Sequence, residues 1–142
     1  MSANPLVGTW RLVSFEVRDD EGRVTYPFGR EDAVGFITYS PDGHMAVQFG
    51  RADRARLAVG DWVAAAPAEI AAAARDYFAY CGTYELRGGE VVHRVEQSLL
   101  PNWIGAEQVR LVALDANRVI LSTPPTPLGG RQQIATLVWE RT

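Results

Sequence analysis

The strongest constraint on this chain is the alternation of apolar and polar residues over short segments that turn residues separate. Side chains of a β-strand point alternately to its two faces, so a period of two predicts strands with one face in a core. Pro41-Asp42-Gly43 and Gly88-Gly89 supply turns between such segments. Roughly eight segments follow one another at hairpin spacing. We therefore predict a mostly β fold, an eight-stranded antiparallel up-and-down barrel whose interior can hold one small ligand.

Residues 64–79 interrupt this alternation. The stretch is rich in Ala and shows no period of two, and Ala has the highest intrinsic helix propensity. Pro67 would lie in the first turn of a helix, where its missing N–H costs little. The sequence therefore predicts one inserted helix over about residues 64–79.

Composition narrows the classes of function. The chain has 142 residues, which fits a single domain over residues 1–142. Its net charge is −3 and it contains no Lys, so the clustered basic side chains that bind nucleic acid are missing. Cys81 is the one cysteine and cannot form an internal disulfide, and no spacing of His and Cys fits a metal site. We expect no metal and no cofactor.

The sequence also bears on location. The first residues lack the basic and apolar regions of a signal peptide. The longest run without charge, residues 119–130, contains three prolines, so we predict no membrane span. The expected location is the cytoplasm.

Several segments together carry a family resemblance. Gly8-Thr9-Trp10 resembles the G-x-W signature of lipocalins, and a wider ordered set of segments strengthens the likeness: GTWRLVSFE, FITYSPDGHMAVQF, YFAYCGTYEL, HRVEQSLLPNWIG and TLVWER. This set resembles the bacterial and fungal lipocalin-like domain family over nearly the whole chain. The resemblance implies a lipocalin-like barrel with a central cavity. It also implies that Trp10 plugs the closed end and that Arg141 or Arg131 stacks on it.

The resemblance leaves the ligand and the activity open. Some related barrels carry apolar molecules, and others are cyclases or isomerases of natural-product pathways, so the fold does not determine the function.

The inward face of each strand is predicted from parity, because a shift of one residue reverses it. Over residues 90–100 the more apolar set contains His93 and Gln97, which would therefore face the cavity. On the preceding strand the matching set contains Tyr80 and Tyr84. His93 is the sharpest candidate for acid–base chemistry, because an imidazole titrates near neutral pH. The alternative is a wall histidine that is hydrogen-bonded to Tyr or Gln.

The orientation of Arg110 stays open at this point. One face of its segment contains Gln108 and Arg110, whereas the opposite face is wholly apolar. If Arg110 points inward, it is a buried cation that needs a carboxylate or an anionic ligand. Glu16 shares parity with Trp10 and could supply that carboxylate. Trp103, in a loop with Pro and Gly, is either a lid over the cavity or a packing anchor.

Three functions are consistent with these residues. The first is binding of a small apolar metabolite in the barrel cavity, by residues that we predict to be Tyr39, Tyr80, Tyr84, His93, Gln97, Trp103, Gln108 and Arg110. The second is a cofactor-independent cyclase, isomerase or hydrolyase, with His93 as acid or base and Arg110 stabilising developing charge. The third is a homodimerising partner module without a ligand, which would use an outer sheet face formed by Val13, Phe15 and Val17.

Overall fold

The computed structural model describes residues 4–142. Its elements in chain order are β1 (Gly8–Asp19), β2 (Val24–Thr25), β3 (Ala33–Tyr39), β4 (His44–Arg51), α1 (Pro67–Arg75), β5 (Tyr77–Arg87), β6 (Glu90–Ser98), a 3₁₀ turn (Pro101–Trp103), β7 (Glu107–Asp115), β8 (Arg118–Ser122), β9 (Thr126–Leu128) and β10 (Arg131–Arg141).

Eight of these strands form a closed barrel. Strands β1, β3, β4, β5, β6, β7, β8 and β10 each pair antiparallel with the next, and β10 pairs with β1 to close the sheet. The short strands β2 and β9 lie outside this ring, where β2 pairs with β1 and β9 pairs with β10. The prediction of an eight-stranded antiparallel up-and-down barrel with one inserted helix is confirmed.

The helix is shorter than the sequence predicts. It begins with Pro67 in its first turn, as expected, but it ends at Arg75, and β5 begins at Tyr77. Tyr77, Phe78 and Ala79 all pair with β4, so three residues of the predicted helix belong to the barrel sheet. Sheet pairing, together with the packing of the partly buried Phe78 against the core, outweighs the helix propensity of the Ala-rich stretch. No helix within residues 4–142 is long and apolar enough to cross a bilayer.

A β-bulge in β1 reverses the parity of this strand. Leu12 pairs with Trp139 and Ser14 with Val138, so Val13 is an extra residue without a partner of its own. A bulge of this kind shifts all following side chains to the opposite face. The inward set of β1 therefore changes halfway along the strand.

This bulge removes the predicted dimerisation face. Val17 is buried in the barrel core, and Phe15 packs against that core and lines the cavity. The prediction that Val13, Phe15 and Val17 form an outer sheet face is therefore wrong, because it assumed an unbroken alternation along β1.

A second bulge lies between β5 and β6. Gly82 pairs with Val95 and Cys81 with Gln97, which leaves Glu96 as the extra residue. A Cβ atom at position 82 would lie 1.8 Å from a backbone carbonyl oxygen of β6, so only glycine fits there. After the bulge Gln97 follows the outward-facing Cys81, and both side chains are exposed. The prediction that Gln97 faces the cavity is wrong for this reason.

One end of the barrel is closed as the family resemblance implies. Trp10 is fully buried, and its indole N–H donates to the carbonyl of Leu6 at 2.9 Å. The guanidinium of Arg141 lies 4.1 Å from the Trp10 ring centroid and donates to two backbone carbonyls of the N-terminal segment, at 3.0 and 2.6 Å. The other candidate for this stacking, Arg131, instead pairs with Asp20 at 3.2 Å.

Candidate functional site

The barrel encloses a cavity of about 260 Å³ between the closed end and the opposite rim. Every strand of the ring contributes to its wall, which is predominantly aliphatic and aromatic. The lining residues are Phe15, Ile37, Val47, Phe49, Phe78, Tyr80, His93, Leu100, Trp103, Gln108, Arg110, Leu121, Thr123, Thr126, Leu128, Ala135, Leu137 and Trp139. A largely apolar cavity with a few polar groups is the usual form of a small-molecule site.

Arg110 faces this cavity. It lies on β7 opposite Val91, and its guanidinium donates to the carbonyl of Val109 at 2.9 Å. Its guanidinium carbon lies 5.9 Å from the centroid of the Trp103 ring. Among residues 4–142 no carboxylate lies within 4.0 Å of this cation. Arg110 therefore points inward, and within residues 4–142 it has no carboxylate as its counterion.

Glu16 does not supply that counterion. The bulge in β1 turns the Glu16 side chain to the outer face of the barrel. There its carboxylate lies 3.5 Å from the guanidinium of Arg18. The predicted pairing of Glu16 with Arg110 is therefore wrong.

Trp103 packs at the rim of the cavity. It ends the 3₁₀ turn, and its ring meets Phe78 and Tyr80 edge to face, with centroid distances of 5.0 and 5.5 Å. Edge-to-face packing of this kind is favourable beyond the area it buries. Trp103 is thus anchored against the strand that carries Tyr80, and it lines the cavity at the same time.

A chain of three polar side chains crosses the interior. The imidazole of His93 is 1% exposed and lies between two phenols, with Nε2 at 2.7 Å from the Tyr39 hydroxyl and Nδ1 at 2.7 Å from the Tyr80 hydroxyl. Tyr80 and His93 line the cavity, whereas Tyr39 lies behind His93 on the side of the closed end. Both ring nitrogens are therefore occupied by protein partners.

Burial is the main cause of the shifted pKa values of His93, Tyr39 and Tyr80. Removal from water, with the nearby Arg110 cation as a smaller cause, lowers the pKa of His93 to about 3. Burial raises the pKa of Tyr39 well above its usual value and also raises the pKa of Tyr80, although the Arg110 cation opposes both shifts. At neutral pH the imidazole is uncharged and both phenols are protonated. A histidine in this state is a weak base whose two nitrogens are already engaged, so the geometry does not favour proton transfer to a ligand.

Tyr84 lies towards the closed end of the barrel and does not line the cavity. Its hydroxyl donates to the carbonyl of Ser40 at 2.9 Å and accepts from the amide of Asn4 at 2.8 Å. Its ring packs edge to face on Tyr39, at a centroid distance of 4.7 Å. Of the residues predicted to contact a ligand, those that line the cavity are Tyr80, His93, Trp103, Gln108 and Arg110.

Much of the apolar wall escaped prediction from the sequence. The sequence predicts an outward Phe15, because no residue of β1 indicates the bulge, and it predicts Phe78 within the helix. Alternation over residues 135–139 did carry a usable signal, since Ala135, Leu137 and Trp139 all face the interior. A systematic use of parity on the last strand would have found these three.

A closed up-and-down barrel with an internal cavity is the architecture of the lipocalin-like class. The chain belongs to the family described as the lipocalin-like domain, whose model matches residues 7–142. This family and its barrel architecture fit the binding of a ligand.

Individual relatives are more distant. A 4'-hydroxy-3'-methoxypropiophenone carrier protein from Aspergillus oryzae is 37% identical over 82 residues, which cover 51% of this chain and 74% of that protein. A lipocalin-like protein from Bacteroides uniformis has a TM-score of 0.49 at 13% identity, covering 98% of this chain and all of that one. An uncharacterised protein from Bacteroides eggerthii has a TM-score of 0.48 at 14% identity, covering 96% and 99%. The fold assignment rests on the family match and on the strand pairing described above.

Proposed function

We propose that this protein is a carrier that binds one small, largely apolar metabolite of secondary metabolism inside the barrel. The observation that carries the proposal is the cavity of about 260 Å³, whose wall is apolar except for a few inward polar groups. Apolar contact supplies most of the affinity in such a site, and the polar groups orient the ligand.

The Aspergillus relative supports a particular chemistry. That protein is named as a carrier of 4'-hydroxy-3'-methoxypropiophenone, a one-ring aromatic ketone. A ring with a short side chain suits a cavity that aromatic residues line, including Phe78 and Trp103. The buried, uncharged His93 favours a carrier over a catalyst, because it offers no free base at neutral pH.

The test uses tryptophan fluorescence. Trp103 and Trp139 both line the cavity, so a ligand there should quench their emission. We expect 4'-hydroxy-3'-methoxypropiophenone to quench it saturably, with a micromolar Kd.

A matched pair of variants locates the binding. Ala135 lines the cavity, so Ala135→Phe should fill it and abolish the quenching. Ala113 is exposed on the outer face of β7, so Ala113→Phe adds the same ring without blocking the site. Leu137→Trp provides a second block from the same strand as Ala135. Equal affinity in the blocked variants and in the Ala113 variant would place the ligand outside the barrel and refute the proposal.

A further inference from the structure

Two polar groups converge on the cavity from the strands β5 and β7. We propose that the Tyr39–His93–Tyr80 chain runs in one direction, so that Tyr80 donates its hydroxyl proton into the cavity. Tyr80 and Arg110 then form a two-donor site for an acceptor oxygen of the ligand, either a carbonyl or an ionised oxygen. This inference rests on the proposed function, because it names the chemistry of the molecule that the same cavity takes.

The direction of the chain follows from hydrogen-bond accounting. A neutral imidazole has one N–H donor and one nitrogen acceptor, and a phenol can donate or accept. Tyr39 is 1% exposed, and within residues 4–142 its hydroxyl has the Nε2 atom of His93 as its one hydrogen-bond partner. A buried O–H without an acceptor is costly, so Tyr39 must donate to Nε2.

The rest of the chain is then determined. With Nε2 as the acceptor, the ring proton of His93 is on Nδ1, which donates to the Tyr80 oxygen at 2.7 Å. The proton of the Tyr80 hydroxyl is left without an acceptor among residues 4–142, and Tyr80 lines the cavity. In the reverse direction Tyr80 would donate to Nδ1, and the proton of Tyr39 would be buried without a partner. Tyr39 and His93 thus act as positioning residues for Tyr80.

Arg110 adds the second donor. Its charge and a side-chain hydrogen bond from its guanidinium to the Tyr80 oxygen both lower the pKa of that phenol against the effect of burial, and the Tyr80 proton stays free to donate. The guanidinium can only donate, and its neighbour Trp103 supplies no acceptor. A ligand oxygen at this position therefore meets donors from two sides, which favours a carbonyl, a carboxylate or a phenolate.

The first experiment reads the proton directly. Long-range ¹H–¹⁵N NMR of the unliganded protein should show His93 protonated on Nδ1 and not on Nε2. The tautomer with the proton on Nε2 would overturn the proposed direction. This measurement needs no ligand, so it is independent of whether the carrier function is right.

The second experiment compares ligands that differ only in the acceptor. Propiophenone and propylbenzene differ by the carbonyl oxygen, and the 4-ethylbenzoate anion and 4-ethyltoluene differ by the carboxylate. Tyr80→Phe should lower the affinity for propiophenone about tenfold and leave the affinity for propylbenzene within twofold of wild type. Arg110→Met should weaken binding of 4-ethylbenzoate and propiophenone, the former more because it carries a full charge, and should leave binding of the two hydrocarbons within twofold. Unchanged affinity for both oxygen-bearing ligands would overturn the role of Arg110.

Tyr39→Phe is the decisive variant, because Tyr39 does not line the cavity. Without its hydroxyl nothing fixes the direction of the chain, so propiophenone affinity should fall several-fold while propylbenzene affinity stays. Tyr84→Phe is the matched control: its ring packs on Tyr39, but its hydroxyl bonds the carbonyl of Ser40. Tyr84→Phe should leave the affinities for propiophenone and propylbenzene unchanged. An equal loss for ketone and hydrocarbon, or no loss for the ketone, would refute the inference, whereas failure of all four ligands with the native protein would refute the carrier proposal instead.

Discussion

Protonation of His93 should destabilise the folded protein as the pH falls. Burial, with the Arg110 cation as the smaller cause, lowers the pKa of His93 to about 3, whereas the ordinary value in an unfolded chain is 6.5. Between these values the unfolded chain binds a proton that the folded protein does not bind. The stability that the neutral imidazole contributes is therefore present above about pH 6.5 and is lost progressively as the pH falls towards 3.

The size of this effect follows from the two pKa values. Each unit of difference corresponds to about 1.4 kcal/mol, so full protonation of His93 costs about 5 kcal/mol of unfolding free energy. Between about pH 7.5 and pH 5 the loss from this one group is about 2 kcal/mol. For a domain of this length that loss lowers the midpoint of thermal unfolding by about 7 °C.

Urea denaturation at a series of pH values measures this loss. Wild type, His93→Gln and His44→Gln should be compared, since His44 is the exposed histidine of the chain. Carboxyls whose pKa is lowered in the folded state also lose stability as the pH falls, but all three proteins share them: Asp19, Asp42, Asp53 and Glu85. His93→Gln should lose about 2 kcal/mol less than wild type over this range. The His44 variant should keep most of the wild-type loss.

Equal losses in wild type and His93→Gln would refute this reasoning. The comparison uses the change with pH and not the absolute stability, so a uniform destabilisation of the variant does not obscure it. If the variant does not fold, the ring ¹⁵N shifts of His93 in wild type give the same answer. They should stay constant between about pH 7.5 and pH 5, and a titration in that range would contradict the pKa stated above.

Two further predictions concern the barrel frame. Gly82→Ala should destabilise the protein by more than about 2 kcal/mol in urea denaturation, because its Cβ would overlap a backbone carbonyl oxygen at 1.8 Å. Gly89→Ala is its control, because nothing lies within 4 Å of a Cβ there, and an equal effect of the two would contradict the steric argument. Arg141→Ala should cost about 1–2 kcal/mol through lost stacking on the buried Trp10. Arg118→Ala, on the outer surface with a 3.8 Å ion pair, should be near neutral by thermal unfolding.

Alternation of apolar and polar residues predicts side-chain orientation correctly in strands, or parts of strands, that contain no bulge. On β7 the register is regular, and Gln108 and Arg110 both face the cavity. On β6 the alternation holds from Val91 to Val95, which places His93 inside. Parity arguments succeed here because each side chain lies opposite a residue of the same orientation on the neighbouring strand.

The bulges mark where such arguments fail. Val13 and Glu96 are the extra residues in β1 and β6, and neither residue type is a signal for a bulge. One inserted residue reverses every later side chain, so the errors at Phe15 and Gln97 share one cause. Gly82 opposite the second bulge is a weak sign of it, because a glycine within a strand often marks a bulge or a close backbone approach. The helix boundary failed for a different reason: Tyr77 pairs in the sheet, and long-range pairing overrides local propensity.

The Tyr39–His93–Tyr80 chain lies at the boundary between the packed and the hollow halves of the barrel. Towards the closed end, Tyr39 and Tyr84 fill the interior, and beyond Tyr80 the cavity begins. Three buried polar groups need mutual hydrogen bonds to offset the cost of removing them from water, and apolar side chains at these positions would carry no such cost. An apolar set would also present no donor to the cavity. The hydrogen-bonded Tyr39–His93–Tyr80 series satisfies the buried Tyr39 hydroxyl and leaves the Tyr80 hydroxyl proton at the cavity wall. A ligand with an acceptor oxygen would need a donor at this place.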